Sequence, residues 1–127
     1  MKDAPAAWTL ALVARHLVPG GHFVCDVLTR RALAQLWPEL SRVIEQADYF
    51  AVWRGRFDAR RQEGVLTADY FLLQETGTYT QAREVHREKA FSDSELREWL
   101  GAAGMPVKAV RADDRWEPPT PTTDRIA

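Results

Sequence analysis

Glu84 and His86 are the two side chains whose types and spacing best suit proton transfer in this sequence. If their segment is a strand, residues two apart point to the same side, so the carboxylate and the imidazole would be neighbours. Such a pair can act as general acid and base, or it can orient a polar substrate. The alternative is structural: a hydrogen bond between strands, or a solvated row of charges that includes Arg83 and Arg87.

Asp26 is a second candidate because it ends the apolar run Phe23-Val24-Cys25. A carboxylate beside a buried strand is costly unless it has a partner or a ligand. At the carboxyl end of a parallel strand it would lie where ligands bind in open α/β sheets. Equally, Asp26 could cap a helix that starts at Thr29-Arg30-Arg31.

Arg54 is a third candidate because it and Arg56 alternate with Trp53 and Phe57 along a strand-like segment. Arginines interleaved with aromatic residues are found on surfaces that bind single-stranded nucleic acids. Acidic residues balance the charge here, namely Asp58, Asp69 and Glu75. We therefore interpret this side as a solvated sheet face on which Arg54 could still meet an anionic group of a substrate.

Composition limits the function further. The chain has 127 residues, a net charge of -1 and 46% hydrophobic residues, which predicts one small domain and no nucleic-acid partner. No segment has the length and hydropathy of a membrane span or a signal peptide, so we expect no membrane partner and a cytoplasmic protein. The single cysteine, Cys25, is expected to be a small buried hydrophobe, and the three scattered histidines predict no metal site.

Helical spacing of apolar residues predicts a first helix from about Pro5 to Leu17, ended by Pro19-Gly20-Gly21. An apolar strand should then lead to Asp26. The pattern also predicts a helical stretch over 32–47, interrupted at Trp37-Pro38, with a buried face formed by these residues: Leu33, Leu36, Leu40, Val43 and Ile44.

Three strand-like segments follow, at 48–58, 65–74 and 79–89, and short polar turns separate them. Consecutive strands with short turns indicate an antiparallel meander. Ser92 and Glu95 form a capping box that starts a second helix, which Gly104 should end. A short strand at 107–111 and a Pro/Thr-rich surface tail at 117–124 complete the pattern.

Leu17-Val18-Pro19-Gly20-Gly21 and the residues up to Asp26 resemble the L-x-P-G-G-x-(apolar)-(apolar)-x-D stretch of class I S-adenosylmethionine-dependent methyltransferases. One group of small-molecule methyltransferases carries an inserted antiparallel lid after this stretch, followed by Y-x-x-x-x-E-x-H-x-x-(K/R)-x-(Y/F)-(S/T). The chain is similar there too, at Tyr79, Glu84, His86, Lys89, Phe91 and Ser92. It continues with Ala103-Gly104, Pro118-Pro119-Thr120 and Asp124-Arg125-Ile126.

The resemblance implies an α/β fold (α+β as a fragment): the C-terminal half of a Rossmann-like methyltransferase sheet with an inserted three-stranded antiparallel meander. The implied single partial domain divides into 1–47 (helix, fifth strand of the family sheet, helices), 48–91 (lid), 92–116 (helix and strand) and 117–127 (tail). Without neighbouring strands, exposed sheet edges are expected to promote self-association.

The resemblance also implies S-adenosylmethionine as cofactor and a small-molecule substrate. By this implication His86 and Glu84 are catalytic, and Asp26, Arg54 and Tyr79 bind substrate. The family's acidic-x-G-x-G-x-G cofactor loop is absent, so no residue here is assigned to the cofactor, and we expect the chain to be inactive alone. The alternatives are a non-enzymatic α+β module that binds a ligand or a partner, and an inert truncated gene product.

Overall fold

The computed structural model describes residues 4–112 and 116–127. Two compact units are formed within them. One is drawn from Met1–Val27 and Phe91–Ala127, and the other from Leu28–Ala90.

Two helices dominate the first unit, and both were predicted. Helix α1 spans Ala4–His16, and the turn after it has Gly20 at φ +78°. Helix α2 spans Asp93–Ala102 and begins with the predicted capping box, in which Ser92 and Glu95 each accept a hydrogen bond from the other's backbone N–H. The two helices contact each other, and Gly104 follows α2 at φ +78°. The predicted glycine stop is confirmed.

The two strands predicted for this unit are mostly wrong. Pairing is restricted to β1 at Val27–Leu28 and β6 at Arg125–Ile126, while residues 22–26 form no strand. The segment 107–111 forms none either; only Ala112 bridges to Ile126. An apolar run becomes a strand only when a neighbour supplies hydrogen bonds, and no strand of the described residues lies beside 22–26. Cys25 is consequently exposed, against the prediction of a buried residue.

A four-stranded antiparallel sheet forms the second unit. Strands β2 (Ser41–Glu45), β3 (Tyr49–Asp58), β4 (Glu63–Leu73) and β5 (Tyr79–Lys89) follow one another in sheet order. The predicted meander is confirmed at its three strands, and β5 has the predicted bounds. Its strand count is corrected from three to four by β2.

The predicted helix over 32–47 is wrong beyond residue 39. The segment has a π-helical turn at Ala32–Leu36 and a 3-10 turn at Trp37–Glu39, and then becomes β2. Pro38 lies at the start of the 3-10 turn, which agrees with the predicted interruption at Trp37-Pro38. After residue 39, pairing with β3 supplies the backbone hydrogen bonds that a helix would have made. Leu33 is buried as predicted, but Val43 points to solvent and is 67% exposed.

Close packing on the sheet depends on two glycines. A Cβ on Gly55 would lie 2.1 Å from the carbonyl oxygen of Trp37, and one on Gly64 would lie 2.6 Å from Leu33 Cδ2. The helical turns at 32–39 therefore rest directly on the sheet, over one end of the face that carries these glycines. Buried residues of this unit are Leu33, Ala51, Val65, Ala68 and Asp69.

The register separates the side chains of the sheet into two faces. Val52 of β3, Asp69 of β4 and Arg83 of β5 lie in one cross-strand row. Because side chains alternate along a strand, residues an even number of positions away share their face, which we call the arginine face. It carries Phe50, Val52, Arg54, Asp69, Phe71, Tyr79, Gln81 and Arg83. The opposite face, the histidine face, carries Ala51, Trp53, Ala68, Glu84 and His86, with Gly55 and Gly64 at its covered end.

Candidate functional site

The structure distributes the predicted site residues over three places. Glu84 and His86 lie on the histidine face, whereas Arg54 and Tyr79 lie on the arginine face. Asp26 belongs to the other unit. Residues on opposite faces of one sheet cannot line a single pocket, so the sheet offers two separate surfaces for chemistry.

On the histidine face, Glu84 and His86 form the predicted pair. His86 Nε2 lies 3.0 Å from Glu84 Oε2, and the two side chains are 52% and 57% exposed. Trp53 stands in the same cross-strand row as Glu84, with only the methyl group of Ala68 between them. The buried Nε1 of Trp53 has no hydrogen-bond partner within the described ranges. This face therefore combines a water-accessible acid–base pair with an unsatisfied donor.

Asp26 has an ionic partner in its own unit. Its carboxylate receives a hydrogen bond from the guanidinium of Arg125, and about half of each side chain is exposed. The alternative role predicted for Asp26 is to cap the following helical turn. At the start of that turn, Thr29 Oγ1 accepts a hydrogen bond of 3.3 Å from the Ala32 N–H. A substrate group that bound Asp26 would have to compete with Arg125.

The arginine face contains the most strongly connected charged cluster. Asp69, whose side chain is 4% exposed, accepts from Arg83 Nε at 2.6 Å and Arg83 Nη2 at 3.1 Å. Arg54 Nη2 donates to the same carboxylate at 2.6 Å, and Gln81 Nε2 lies 3.4 Å from it. Both arginine side chains are 56% exposed. One buried carboxylate thus holds two guanidinium groups at the surface.

The charge of this cluster is fixed at ordinary pH. Hydrogen bonds from Arg83 lower the pKa of Asp69 to about 2, and those from Arg54 and Gln81 add to the effect against the opposing influence of burial. The same contact raises the pKa of Arg83. Two permanent cations and one permanent anion leave an excess of one positive charge.

Three aromatic rings lie further along the same face: Phe50 and Phe71 in the next row, and Tyr79 in the row beyond, opposite Leu73. Phe50 and Phe71 stack with centroids 4.5 Å apart, and Tyr79 meets Phe50 edge-on at 5.5 Å. Tyr79 is exposed, while the two phenylalanines are half-buried. The face therefore offers an aromatic patch beside a cationic one.

Sequence reasoning identified only part of this surface. It selected Arg54 and Tyr79 but placed Asp69 among solvated charges, and the structure shows Asp69 buried. It placed Arg83 in a solvated row of charges with Glu84 and His86, whereas the structure places Arg83 on the opposite face. Only the register, which sets Asp69 opposite Arg83, reveals their connection. The alternation of Phe50, Val52 and Arg54 was the one signal available in the sequence.

A groove of about 830 Å³ lies within the first unit. Its walls are mainly apolar and come from α1, the Pro-Gly-Gly turn, residues 22–25, α2 and residues 103–111. Partial burial of its thiol, and then the charge of Asp26, raises the pKa of Cys25, which makes this thiol a poor nucleophile at neutral pH. The groove therefore offers a mainly apolar surface with a few charged side chains, such as Asp93, Arg97 and Lys108.

The described part of the chain contains neither a metal-binding cluster nor a membrane-spanning helix. Residues 4–112 and 116–127 contain no group of three or more histidine, cysteine or acidic side chains arranged to hold a metal ion. No helix in these ranges is long and apolar enough to cross a membrane.

Comparison with known proteins identifies the fold. The sequence matches no protein-family model and no curated protein. The structure is similar to that of an S-adenosylmethionine-dependent methyltransferase from Clostridium acetobutylicum, with a TM-score of 0.74 and 19% identity over 92% of this chain and 46% of that one.

Two further structures are similar at 18% identity. The CcbJ methyltransferase from Streptomyces caelestis gives a TM-score of 0.60 over 92% of this chain and 45% of its own. The sugar N-methyltransferase KedS8 from Streptoalloteichus gives 0.59 over 98% of this chain and 48% of its own. The chain spans about half the length of each, and it has the fold of that half of an S-adenosylmethionine-dependent methyltransferase.

Proposed function

We propose that this chain is the acceptor-binding part of an S-adenosylmethionine-dependent methyltransferase that acts on a small molecule. The observation that supports this most is the similarity to a methyltransferase at a TM-score of 0.74 over 92% of the chain. A second similar structure is described as a sugar N-methyltransferase, which supports a small polar acceptor.

The residues present do not fit the cofactor. The only two adjacent glycines, Gly20 and Gly21, follow helix α1 rather than a strand. A Cβ on Gly20 would meet no atom within 4 Å, and one on Gly21 would lie 2.9 Å from the carbonyl oxygen of Val18, so the only close contacts of this pair are with its own turn. We therefore assign cofactor binding to a polypeptide segment other than this one, and we propose that the chain alone is inactive.

The roles proposed for individual residues follow the two faces of the sheet. His86, oriented by Glu84, would accept a proton from an acceptor nucleophile on the histidine face. Arg54 and Tyr79 would contact a ligand on the arginine face. Asp26 remains a proposed substrate contact at its ion pair with Arg125.

The test is to determine the genomic sequence upstream and to express the chain with and without the residues it encodes in frame. We expect the upstream segment to contain an acidic-x-G-x-G-x-G loop after a strand. Titration calorimetry should then detect S-adenosylmethionine binding by the extended polypeptide and none by the chain alone. Micromolar binding by the chain alone would contradict the assignment of the cofactor to another segment. An extended polypeptide that carries the loop but transfers no methyl group to any small amine or hydroxyl acceptor would contradict the function.

A non-enzymatic binding module is the second candidate. The observation that favours it is that the sheet unit has its own buried residues and a fully connected charged cluster, all within Leu28–Ala90. Such a module would bind its ligand equally well with and without the upstream residues. It would show no methyl transfer in either form.

A further inference from the structure

We propose that the arginine face binds the oxyanion of a small ligand, a carboxylate or a phosphate, between Arg54 and Arg83. The planar or apolar body of that ligand would lie on the aromatic rings of Phe50, Phe71 and Tyr79. This face is opposite to the one that carries Glu84 and His86, so the ligand is distinct from an acceptor that His86 would deprotonate, and its binding does not depend on the proposed function.

The two guanidinium groups have more N–H donors than they use toward Asp69. A guanidinium has five N–H donors in a planar fork that matches carboxylate and phosphate oxygens. Toward Asp69, Arg54 uses one of its nitrogens and Arg83 uses two. Both side chains are 56% exposed, so their remaining donors face the open side of the sheet.

The cluster of Arg54, Asp69 and Arg83 is ordered before any ligand binds. A free surface arginine loses rotamer freedom when it binds, which weakens affinity. Here the buried carboxylate of Asp69 holds both guanidinium groups from below through three charge-assisted hydrogen bonds of 2.6 to 3.1 Å. The two cations are therefore held close together before a ligand arrives.

The charge of the surrounding face favours an anionic ligand at the two arginines. Asp69 neutralises only one of its two arginines. Two acids further along the same face have contacts away from Arg54 and Arg83. Glu63 lies 3.9 Å from Arg87, and Asp58 accepts hydrogen bonds from the backbone N–H groups of Arg60 and Arg61. Glu45, at the end of β2, lies opposite Phe50. An anionic ligand would thus place its charge at the arginines and its neutral body toward the aromatic row.

The spacing of the two patches sets the size of the ligand. Phe71 and Gln81 form one cross-strand row, and Asp69 and Arg83 form the next row on the same face. Rows on one face repeat every two residues, or about 7 Å along the strands. A carboxylate or phosphate joined directly or by one or two atoms to an aromatic or other flat group spans this distance.

Benzoate and phenyl phosphate are suitable probes of the complete chain, with benzyl alcohol as the uncharged analogue. The side-chain Nε–H signals of Arg54 and Arg83 in ¹⁵N NMR spectra report contact directly, without any mutation. We expect saturable shifts of both signals with at least one anion and none with benzyl alcohol. Whether benzoate or phenyl phosphate binds more tightly separates a carboxylate ligand from a phosphate ligand. Acetate, which lacks the ring, should bind several-fold more weakly than benzoate.

Variants test whether the cluster is responsible. Arg54→Gln and Arg83→Gln should each weaken binding about tenfold or more, because each removes charged hydrogen bonds to the anion. Arg42→Gln is the matched control: Arg42 is exposed on β2 and lies opposite Trp53, on the histidine face. Arg83→Lys keeps the charge beside Asp69 but loses the fork, so it should fold and still bind weakly.

Three results would overturn the proposal: no saturable shift with either anion, equal shifts with benzyl alcohol, or an equal loss of affinity in Arg42→Gln. The titration contains no S-adenosylmethionine and no upstream segment. Its failure would therefore leave the methyltransferase proposal standing, and failure of the cofactor test would leave this one standing.

Discussion

The two faces of the four-stranded sheet hold their charged groups in different ways. Glu84 and His86 are joined by one contact of 3.0 Å, and more than half of each side chain is exposed. On the other face, Arg54 and Arg83 are tied to a carboxylate that is 4% exposed. Exposed ion pairs contribute only about 0–1 kcal/mol, because water competes for both partners. The comparison teaches that a buried anchor, rather than the mere presence of opposite charges, gives a surface cluster a defined geometry.

The largest expected effect concerns the covered end of the histidine face. Gly55→Ala would place a methyl group 2.1 Å from the Trp37 carbonyl oxygen, a backbone atom that cannot move alone. We expect a strong loss of stability or no folding. Gly101→Ala is the control, since its Cβ meets nothing within 4 Å in helix α2; it should stabilise by about 0.5–1 kcal/mol. Equal urea midpoints for the two variants would show that the helical turns do not rest on this face.

The next largest effect on stability is expected when one acid on each face is replaced by alanine. Asp69→Ala leaves Arg54 and Arg83 without their shared acceptor and opens a gap in the sheet, so its melting temperature should fall clearly. Glu84→Ala removes one partner of an exposed pair and should change the melting temperature by no more than a few degrees. Thermal unfolding followed by circular dichroism gives both values. A drop for Glu84→Ala as large as that for Asp69→Ala would remove the distinction.

The stability of the fold should decrease at acid pH when Asp69 becomes protonated. The pKa of Asp69 is about 2 in the folded chain and about 3.9 in an unfolded one. The folded value is the lower, so this carboxylate stabilises the fold above about pH 4 and loses that contribution as the pH falls toward 2. Urea unfolding from pH 6 to pH 2 should show this loss in the native chain, on top of the effects of other acids. Asp69→Asn should show a shallower decline; identical slopes would mean that Asp69 is not anchored by the arginines.

A smaller effect is expected from the unpaired segments of the first unit. Phe23 and Val24 are exposed in a stretch that pairs with no strand of the described chain, and such stretches promote association between copies. We predict concentration-dependent self-association by light scattering, reduced by Val24→Lys. Trp8→Lys, on the exposed side of α1, is a control for general loss of apolar surface. A native chain that stays monomeric at high concentration would contradict this prediction.

Sequence reasoning succeeded where local signals decide the structure. The capping box at Ser92, the positive φ of Gly104 and the full span of β5 could all be predicted from neighbouring residues. It failed where a distant partner decides. Residues 41–45 have both helical and strand character, and pairing with β3 selects the strand.

In the candidate site too, contacts within one strand could be predicted and contacts between strands could not. Glu84 and His86 could be paired from their spacing alone, because they share a strand. The link between Arg54, Asp69 and Arg83 joins three strands, and a shift of one residue in register would place Asp69 on the other face. No local pattern in the sequence contains that register.

Steady-state kinetics of the upstream-extended polypeptide would test most directly whether the two faces serve different roles. His86→Ala should lower kcat about a hundredfold, with little change in cofactor affinity or melting temperature. Because Arg83 lies on the opposite face, Arg83→Gln should leave kcat and the KM for the acceptor nearly unchanged, although it weakens anion binding. A fall in melting temperature with turnover intact would make His86 a structural strand residue. Unchanged kcat in His86→Ala, or a KM for the acceptor raised about tenfold in Arg83→Gln, would contradict the assignment of proton transfer and anion binding to separate faces.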